Sequence, residues 1–218
     1  IYDNGGYIIN DDKTKSGMDD PKTVEAMEML EGWIKDGVLP PIETMSENGE
    51  DVLLESGKVA MVPQGSWMIA AFRDNEYTAE NCDCVELPKS ATTGRRASLY
   101  NGLGWAASAN TEHPEEAWQL IEYLGSKEAQ EKQAELGVTM SAYTGTSEAW
   151  AKSANFNLQA YINMMDDMEI RPYSRSTVTW ENKNSEILKS VYSGDKTMAD
   201  ACKEMAEQMN ESLAEEQQ

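Results

Sequence analysis

The aromatic side chains of this sequence are the residue types best suited to binding a ligand. The chain contains six tryptophans and nine tyrosines but only two phenylalanines. Trp and Tyr rings stack on the weakly polar C–H faces of sugars, and their N–H and O–H groups form hydrogen bonds. Sugar sites combine such rings with Asn, Asp, Arg and exposed backbone groups. The aromatic composition therefore favours a carbohydrate site, whereas any single Trp is more often a core residue.

Trp67 and Trp180 are the two tryptophans whose surroundings point to a ligand. Trp67 follows an apolar run, a turn at Pro63 and the pair Gly65-Ser66. This order predicts a ring displayed at the end of a strand, where ligand clefts of α/β proteins lie. Trp180 enters a helix after an irregular segment, but it also belongs to an apolar helical stripe. Its position therefore predicts core packing as well as it predicts ligand binding.

A second candidate loop contains Tyr100, Asn101 and Gly102, followed by Gly104. The glycines leave peptide groups uncovered, because they have no side chain. Beside these peptide groups stand one ring and one amide, which together match the groups that bind sugar hydroxyls. We therefore expect this loop to contact the same kind of ligand.

Nucleophilic catalysis has few candidate residues in this sequence. The single histidine, His113, precedes Pro114 at a predicted helix start, where its imidazole is expected to face solvent. A Ser-His-Asp or Cys-His site would have to use this residue. The segment Gly65-Ser66-Trp67 lacks the last glycine of a nucleophile elbow, because position 68 is Met. We predict no catalytic residues.

Metal ions and cofactors are not indicated either. Cys82 and Cys84 have no nearby Cys or His with which to form a zinc site. The pair Gly57-Lys58 lacks the preceding glycine and the following Ser or Thr that a phosphate loop requires. Asp166 and Asp167 belong to an acidic cluster that is best interpreted as a solvated face. The sequence thus predicts neither a metal site nor a cofactor.

The charge of the chain excludes one class of partner. There are 39 acidic and 18 basic residues, which give a formal net charge of -21. A phosphate backbone or an anionic membrane surface repels such a protein at long range. We therefore predict that the chain does not bind nucleic acid.

The pattern of apolar residues, helix caps and glycines predicts a mostly helical chain with a few strands. Helices are predicted at about 20–37, 48–57, 114–124, 126–137, 147–168, 179–192 and from 197 onward. The last helix is predicted to end in a frayed polar tail at 214–218 and to carry an apolar stripe of Met198, Ala201, Cys202, Met205, Met209 and Leu213. Strands are predicted at about 59–62, 84–87 and 99–108. Strands separated by helices predict an α/β fold with a mostly parallel or mixed sheet.

Five segments, in order along the chain, resemble the carbohydrate-binding proteins of ABC importers, the group that includes maltose-binding protein. They are NGGYIINDDKTKSGMDDPKTVEAMEMLEGWIKDGVLP, GKVAMVPQGSW, the strand VELP, the long segment from YNGLGWAASAN to EKQAELG, and RPYSRSTVTW. The resemblance covers nearly the whole chain and corresponds to the C-terminal two-thirds of these proteins. It implies a helix-rich, two-lobed, periplasmic-binding-protein-like α/β fold that here lacks most of the N-terminal lobe.

The resemblance also implies how the chain is divided. Residues 1–87 and 144–218 would form two parts of the C-terminal lobe, and residues 88–143 would cross to the N-terminal lobe. The chain begins at Ile1 with sequence typical of the middle of a domain, so we expect processing, truncation or a further N-terminal portion before it. Apolar helix faces within 88–143 would then be exposed. We predict that a companion polypeptide, a second copy or crystal packing covers them.

The function that the resemblance implies is binding of a sugar or oligosaccharide outside the cell, without catalysis. The ligand-bound, closed form would deliver the sugar to the permease subunits of an ABC transporter. Trp67 and Trp180 match sugar-stacking positions, and Tyr100, Asn101 and Gly102 match a cleft loop. Further ligand contacts are expected from Arg171 and Tyr173. The protein would be extracellular, anchored by a lipid at the cell membrane, or periplasmic.

Two alternatives remain open at this point. A glycoside-processing enzyme could share the aromatic platforms, but it would need two carboxylates beside the scissile bond. No acidic residue adjoins Trp67 or the Tyr100 loop in the sequence. A binder of a peptide or polyamine is the other alternative, and carboxylates pointing into the cleft would favour it.

Overall fold

A computed structural model describes residues 1–217 of the chain, which are mostly helical. The α-helices are α1 (Pro21–Lys35), α2 (Ile42–Glu47), α3 (Glu50–Glu55), α4 (Ile69–Asp74), α5 (Glu76–Asn81), α6 (Pro114–Leu124), α7 (Lys127–Leu136), α8 (Ser147–Ala151), α9 (Gln159–Asn163), α10 (Thr177–Tyr192) and α11 (Met198–Glu216). The strands are β1 (Ser98–Tyr100) and β2 (Met168–Ile170), and 3₁₀ turns lie at Tyr2–Asn4, Ser66–Met68 and Met165–Asp167. No helix within residues 1–217 has the length and apolar character needed to cross a membrane.

Several helix ends lie where the sequence predicted them. The side chain of Asp20 accepts a hydrogen bond from the Lys22 N–H at the start of α1. Ser126 caps α7 in the same way, and Thr197 caps α11. Gly137 ends α7 with a φ of 68°, a conformation that favours glycine. The predicted boundaries of α1, α7 and α11 are therefore confirmed, because local capping chemistry fixes them.

The predicted helix at 147–168 is wrong as a single element. The chain instead forms α8, α9 and a 3₁₀ turn. Phe156 and Leu158, two positions apart, are both buried in one core. Residues at this spacing point to different sides of a helix, so a continuous helix could not bury both. Helices α2, α4 and α5 were not predicted.

The predicted strands at 59–62 and 84–87 are also wrong, and only the first residues of 99–108 form a strand. Met61, Val85 and Leu103 are exposed, so these apolar runs do not lie inside a sheet. Strands persist only where a neighbour pairs with their N–H and C=O groups. Within the described chain, β1 and β2 pair with each other in a single two-stranded sheet. The larger parallel or mixed sheet is therefore absent from residues 1–217.

The chain divides into two compact units. Unit 1 contains Ile1–Glu47, Pro88–Leu99 and the described residues from Glu169 onward, and unit 2 contains Asn48–Leu87 and Tyr100–Met168. The predicted segments 1–87, 88–143 and 144–218 refer to the lobes of a longer protein. Their assignment to those lobes stays a prediction.

The core of unit 1 forms around α11, which packs against α1 and α10. The apolar stripe predicted for α11 is buried, with its members Met198, Ala201, Cys202, Met205, Met209 and Leu213 each almost fully covered. Trp180 and Val191 of α10 pack against this stripe. The methionines fill an irregular space between three helices, which suits their flexible side chains.

The core of unit 2 joins side chains from short, separate elements. Its buried members are Leu54, Ile69, Phe72, Ala134, Trp150, Phe156 and Leu158. Ile69 begins α4, directly after the Trp67 turn, and Trp150 lies on α8. Burial of such side chains contributes on the order of 1.5 to 3 kcal/mol each relative to exposure. These contacts hold the short helices around the turn at 63–67.

The packing of α11 gives a prediction for stability. Met205 is 0% exposed, so Met205→Ala should leave a cavity and lower the free energy of unfolding by about 2 to 5 kcal/mol. Met29→Ala is the matched control, because Met29 is 49% exposed in the same unit and should change stability by less than about 0.5 kcal/mol. Urea unfolding of both variants measures the difference. Equal effects would contradict the assigned core.

Candidate functional site

The turn at 63–67 displays the most exposed of the predicted sugar-stacking rings. Trp67 lies in the 3₁₀ turn Ser66–Met68, and 59% of its surface is exposed. Ile69, two residues later, is buried in the core of unit 2. The core therefore fixes the chain directly after Trp67 while the ring itself stays in solvent. An exposed indole of this kind has a surface free for a ligand.

Gly65 is required at this turn by the close approach of the Trp67 ring. A Cβ atom at Gly65 would lie 2.1 Å from Cζ3 and 2.2 Å from Cη2 of Trp67. Gly65 has a φ of -86°, so the requirement comes from space and not from backbone conformation. The six-membered part of the ring thus lies against the Gly65 backbone. This contact leaves the remaining surface of the indole to face solvent.

Hydrogen bonds from other elements hold the residues before Trp67. The Tyr161 hydroxyl donates to the Gln64 carbonyl at 3.1 Å. The Gln64 side chain accepts from the Gly65 N–H at 2.9 Å and donates to Glu50 at 3.1 Å. Ser66 and Thr139 share a hydroxyl hydrogen bond of 2.8 Å. The turn is therefore fixed before a ligand arrives.

The predicted loop of Tyr100, Asn101 and Gly102 begins at the end of β1. All three residues are exposed. The Tyr100 hydroxyl oxygen lies 3.2 Å from where a Cβ of Gly102 would stand, so the ring folds over the glycine. This loop and the Trp67 turn both belong to unit 2. The expected combination of a ring, an amide and open peptide groups is present in the loop.

Trp180 lies in the core of unit 1 instead of at the surface. Only 3% of its surface is exposed, and its Nε1–H donates to the Ser174 hydroxyl at 3.1 Å. The apolar stripe of α10 had predicted core packing of Trp180 as well as it had predicted ligand binding, and core packing is what the structure has. A ring covered to this extent has no face on which a sugar could stack, so Trp180 is corrected here to a core residue.

The other two predicted ligand residues, Arg171 and Tyr173, already have partners in unit 1. The Arg171 guanidinium forms an ion pair of 2.5 Å with Glu181. The Lys13 ammonium lies 3.2 Å from the centre of the Tyr173 ring, a cation–π contact. Lys13 has a φ of 55°, which is uncommon for a residue with a side chain. A ligand at Tyr173 would therefore use the ring surface that Lys13 leaves open.

Glu216 holds the segment that follows these residues, although the sequence predicted a frayed tail at this position. Its carboxylate accepts hydrogen bonds from the N–H groups of Arg175 and Ser176 at 2.9 and 2.7 Å and from the Ser174 hydroxyl at 2.8 Å. The Ser176 hydroxyl is a fourth donor. A helix start has unpaired N–H groups that attract a carboxylate, and the Ser-Arg-Ser run before α10 was the available signal.

These hydrogen bonds change the acidity of Glu216. Partial burial alone would raise the pKa of this carboxyl group, but the hydrogen bonds from Ser174–Ser176 outweigh burial. They lower the pKa from 4.5 to about 2, because they stabilise the charged form. The carboxylate is thus ionised at any ordinary pH.

The structure contains no group of three or more His, Cys, Asp or Glu side chains within residues 1–217 that could hold a metal ion. Cys82 and Cys84 are free thiols. Burial, together with the nearby Asp83 charge, raises the pKa of Cys84 to about 11, so this thiol stays protonated at neutral pH. His113 is exposed at the start of α6, as expected.

Comparison with protein families classifies the chain. Residues 2–166 match the bacterial extracellular solute-binding protein family. Since this match covers well over half of the chain, the chain belongs to that family. The predicted resemblance is confirmed, and so is the predicted class, because members of this family are binding receptors and not enzymes.

Solved structures confirm the periplasmic-binding-protein-like fold. An ABC substrate-binding protein from Listeria monocytogenes in complex with cycloalternan matches 98% of this chain, with a TM-score of 0.82 and 19% identity. A solute-binding protein from Thermotoga lettingae bound with α-D-tagatose matches 97%, with a TM-score of 0.80 and 23% identity. The chain covers 55% and 54% of these two proteins. It therefore spans about half the length of the solved proteins.

One curated relative is the maltodextrin-binding protein MdxE of Bacillus subtilis. It is 26% identical over 128 residues, which make up 56% of this chain and 30% of MdxE. A probable ABC transporter-binding protein of Deinococcus radiodurans is 25% identical over 131 residues, or 60% of this chain and 31% of that protein. Both names agree with the classification as a solute-binding protein.

The Glu216 contacts give a prediction with a defined pH range. Because the folded-state pKa is depressed, the carboxylate stabilises the fold above pH 4.5, and this contribution is lost as the pH falls toward 2. Glu216→Gln should lower the unfolding midpoint at pH 7, and the difference from the unchanged protein should shrink below about pH 4.5. Glu215→Gln is the control, because Glu215 is exposed on the same turn. A difference that does not vary with pH would contradict this role.

Proposed function

We propose that this chain binds a sugar or oligosaccharide outside the cell, as part of a receptor that delivers it to the permease of an ABC transporter. The observation that carries the proposal is the exposed Trp67 ring on a turn held by side chains from other elements. The names of similar proteins support a carbohydrate ligand, since they include a maltodextrin-binding protein and structures with cycloalternan and α-D-tagatose bound.

The proposed binding mode follows from the chemistry of the two partners. A sugar ring would place its C–H face on the exposed surface of Trp67, where both surfaces lose contact with water. Its hydroxyl groups would exchange hydrogen bonds with the amide of Asn101 and the peptide groups at Gly102. Arg171 and Tyr173 of unit 1 are proposed separately as ligand-binding residues. Trp180 takes no part in this binding mode, because it is buried.

A pre-formed turn is an advantage for a binding protein. Ordering a flexible side chain on binding costs roughly 0.5 to 1.5 kcal/mol, which is subtracted from the affinity. The hydrogen bonds at Gln64 and Ser66 place the backbone of the turn before the ligand arrives. More of the stacking energy at Trp67 is then available as affinity.

The α6 helix supports the proposal that another polypeptide covers part of this chain. No residue of α6 is buried, and Trp118, Leu120 and Tyr123 are 63%, 58% and 52% exposed. Large apolar patches on protein surfaces usually mark contact sites. We propose that a companion polypeptide or a second copy covers α6.

We also propose, from the resemblance to the family, that a lipid anchors the receptor at the membrane.

Sugar binding is tested by substitution at Trp67. Maltotriose and longer maltodextrins, with a panel of other sugars, are titrated by calorimetry into this chain and, in parallel, into the product of the complete gene. Trp67→Ala should weaken binding roughly 10-fold or more, as loss of a central aromatic contact does in other interfaces.

Trp33→Ala is the matched control, because Trp33 is a partly exposed tryptophan on α1 of unit 1 and has no place in the proposed site. Its affinity should equal that of the unchanged protein. Saturable binding of a peptide or polyamine with no response to any sugar would contradict the carbohydrate proposal. Release of shortened sugar products would contradict the proposal of binding without catalysis.

The cover over α6 is tested by the mass of the particle in solution. Light scattering coupled to gel filtration should show this chain associated with itself or with a co-purifying polypeptide. Trp118→Glu should reduce that association, because it places a charge in the apolar contact. A monomer at high concentration, with α6 amides that exchange hydrogen freely, would contradict the proposed cover.

A further inference from the structure

Tyr161 connects the core of unit 2 with the Trp67 turn. Its ring, on α9, packs edge-on against the ring of Trp150, with 5.6 Å between ring centres and an angle of 83° between ring planes. Trp150 is fully buried. The Tyr161 ring thus has a position that its packing against the core determines.

The hydroxyl of Tyr161 reaches the backbone of that turn. It donates to the carbonyl oxygen of Gln64 at 3.1 Å, three residues before Trp67. Burial raises the pKa of the Tyr161 hydroxyl, so this group keeps its proton at neutral pH and can donate it to the Gln64 carbonyl.

The carbonyl that Tyr161 holds belongs to the peptide directly before Gly65. The peptide unit between Gln64 and Gly65 is planar, so fixing its carbonyl also fixes the direction of the Gly65 N–H. Glycine has the widest range of backbone angles, so Gly65 by itself would not hold this plane. The Trp67 ring rests on Gly65. The orientation of the ring therefore depends on the orientation of this peptide.

Other contacts of the turn do not replace this one. The Gln64 side chain is bonded to the exposed Glu50 and to the Gly65 N–H of the turn itself, so neither of these bonds reaches the core. The Ser66–Thr139 bond acts on the chain after Gly65. Tyr161 is the contact that ties the peptide before Gly65 to a ring packed on the buried Trp150.

We infer that Tyr161 is a positioning residue for ligand binding, acting through the Gln64 carbonyl to hold the Trp67 ring in its binding orientation. The inference rests on the proposed function, because it assigns Tyr161 a role in the same sugar site. It adds a residue that neither the aromatic composition nor the sequence motifs had singled out.

The test uses Tyr161→Phe, which removes one hydroxyl and keeps the ring against Trp150. Loss of one such hydrogen bond should weaken maltodextrin binding about 3- to 10-fold. The affinity is measured by calorimetry on whichever of the two preparations, this chain or the product of the complete gene, binds the sugar. Hydrogen exchange at the amides of Gly65, Ser66 and Trp67, measured without ligand, should be faster in the variant. Tyr143→Phe, which removes a hydroxyl elsewhere in unit 2, should change neither quantity.

A double-mutant cycle with Trp67→Phe separates positioning from a general effect on the fold. If Tyr161 acts through Trp67, Tyr161→Phe should weaken binding clearly less in the Trp67→Phe background than in the unchanged protein. An equal loss of affinity in both backgrounds would overturn the inference while leaving sugar binding intact. The inference would also be overturned if Tyr161→Phe changed neither the affinity for maltodextrin nor the hydrogen exchange of the amides at 65–67.

Failure of the proposed function has a different signature. If the unchanged protein binds no sugar of the panel, the proposed function fails, and the assignment of Tyr161 to a sugar site fails with it. Faster exchange in Tyr161→Phe would then show only that the hydroxyl orders the turn. The two failures are thus distinguished by the titration of the unchanged protein.

Discussion

The contact between the Trp67 ring and the Gly65 backbone is the constraint on which the candidate site depends. A large ring can lie against the main chain only where no Cβ intervenes, and position 65 provides that space. The same glycine would make the turn flexible if nothing else held it. The hydrogen bonds of Gln64 and Ser66 compensate by fixing the backbone on either side. An exposed aromatic side chain thereby acquires a defined position, which stacking on a sugar requires.

In unit 1 an exposed segment is also fixed by contacts to a buried element, here through a carboxylate. The buried stripe of α11 packs against α10, and the carboxylate of Glu216 at the end of α11 binds the chain just before α10 begins. Helix α11 thus supplies the buried side chains of the core and also the carboxylate that hydrogen-bonds to the end of the Arg171–Ser176 segment. The Trp180 ring is part of the same arrangement, since its N–H bonds to Ser174 and its ring lies in the core. The segment that carries Arg171 and Tyr173 is therefore held at its C-terminal end.

The features that the sequence predicted correctly are those with local causes. The caps at Asp20 and Thr197 and the stripe of α11 depend on neighbours within a few residues along the chain. The exposed position of Trp67 was also predicted, from the proline and glycine that precede it. The fold family was recognised from the order of five motifs, which is information about ancestry more than about local physics.

The features that the sequence did not predict depend on contacts between distant segments. An apolar run such as 59–62 is a strand only if another strand pairs with it, and the sequence does not specify that partner. Burial of Trp180 depends on the packing of α10 against α11. Tyr161 and Glu216 bond to residues 97 and 40 to 42 positions away. Their roles therefore become visible only in three dimensions.

The central claim is that the exposed face of Trp67 contacts the ligand, and ¹⁹F NMR of protein labelled with 5-fluorotryptophan tests it most directly. The six tryptophans give separate probes, and Trp67→Phe assigns the resonance of Trp67. Titration with a maltodextrin that the protein binds should shift the Trp67 resonance saturably. The resonances of the buried Trp150 and Trp180 should move little. Saturable sugar binding that leaves the Trp67 resonance unchanged would contradict the account.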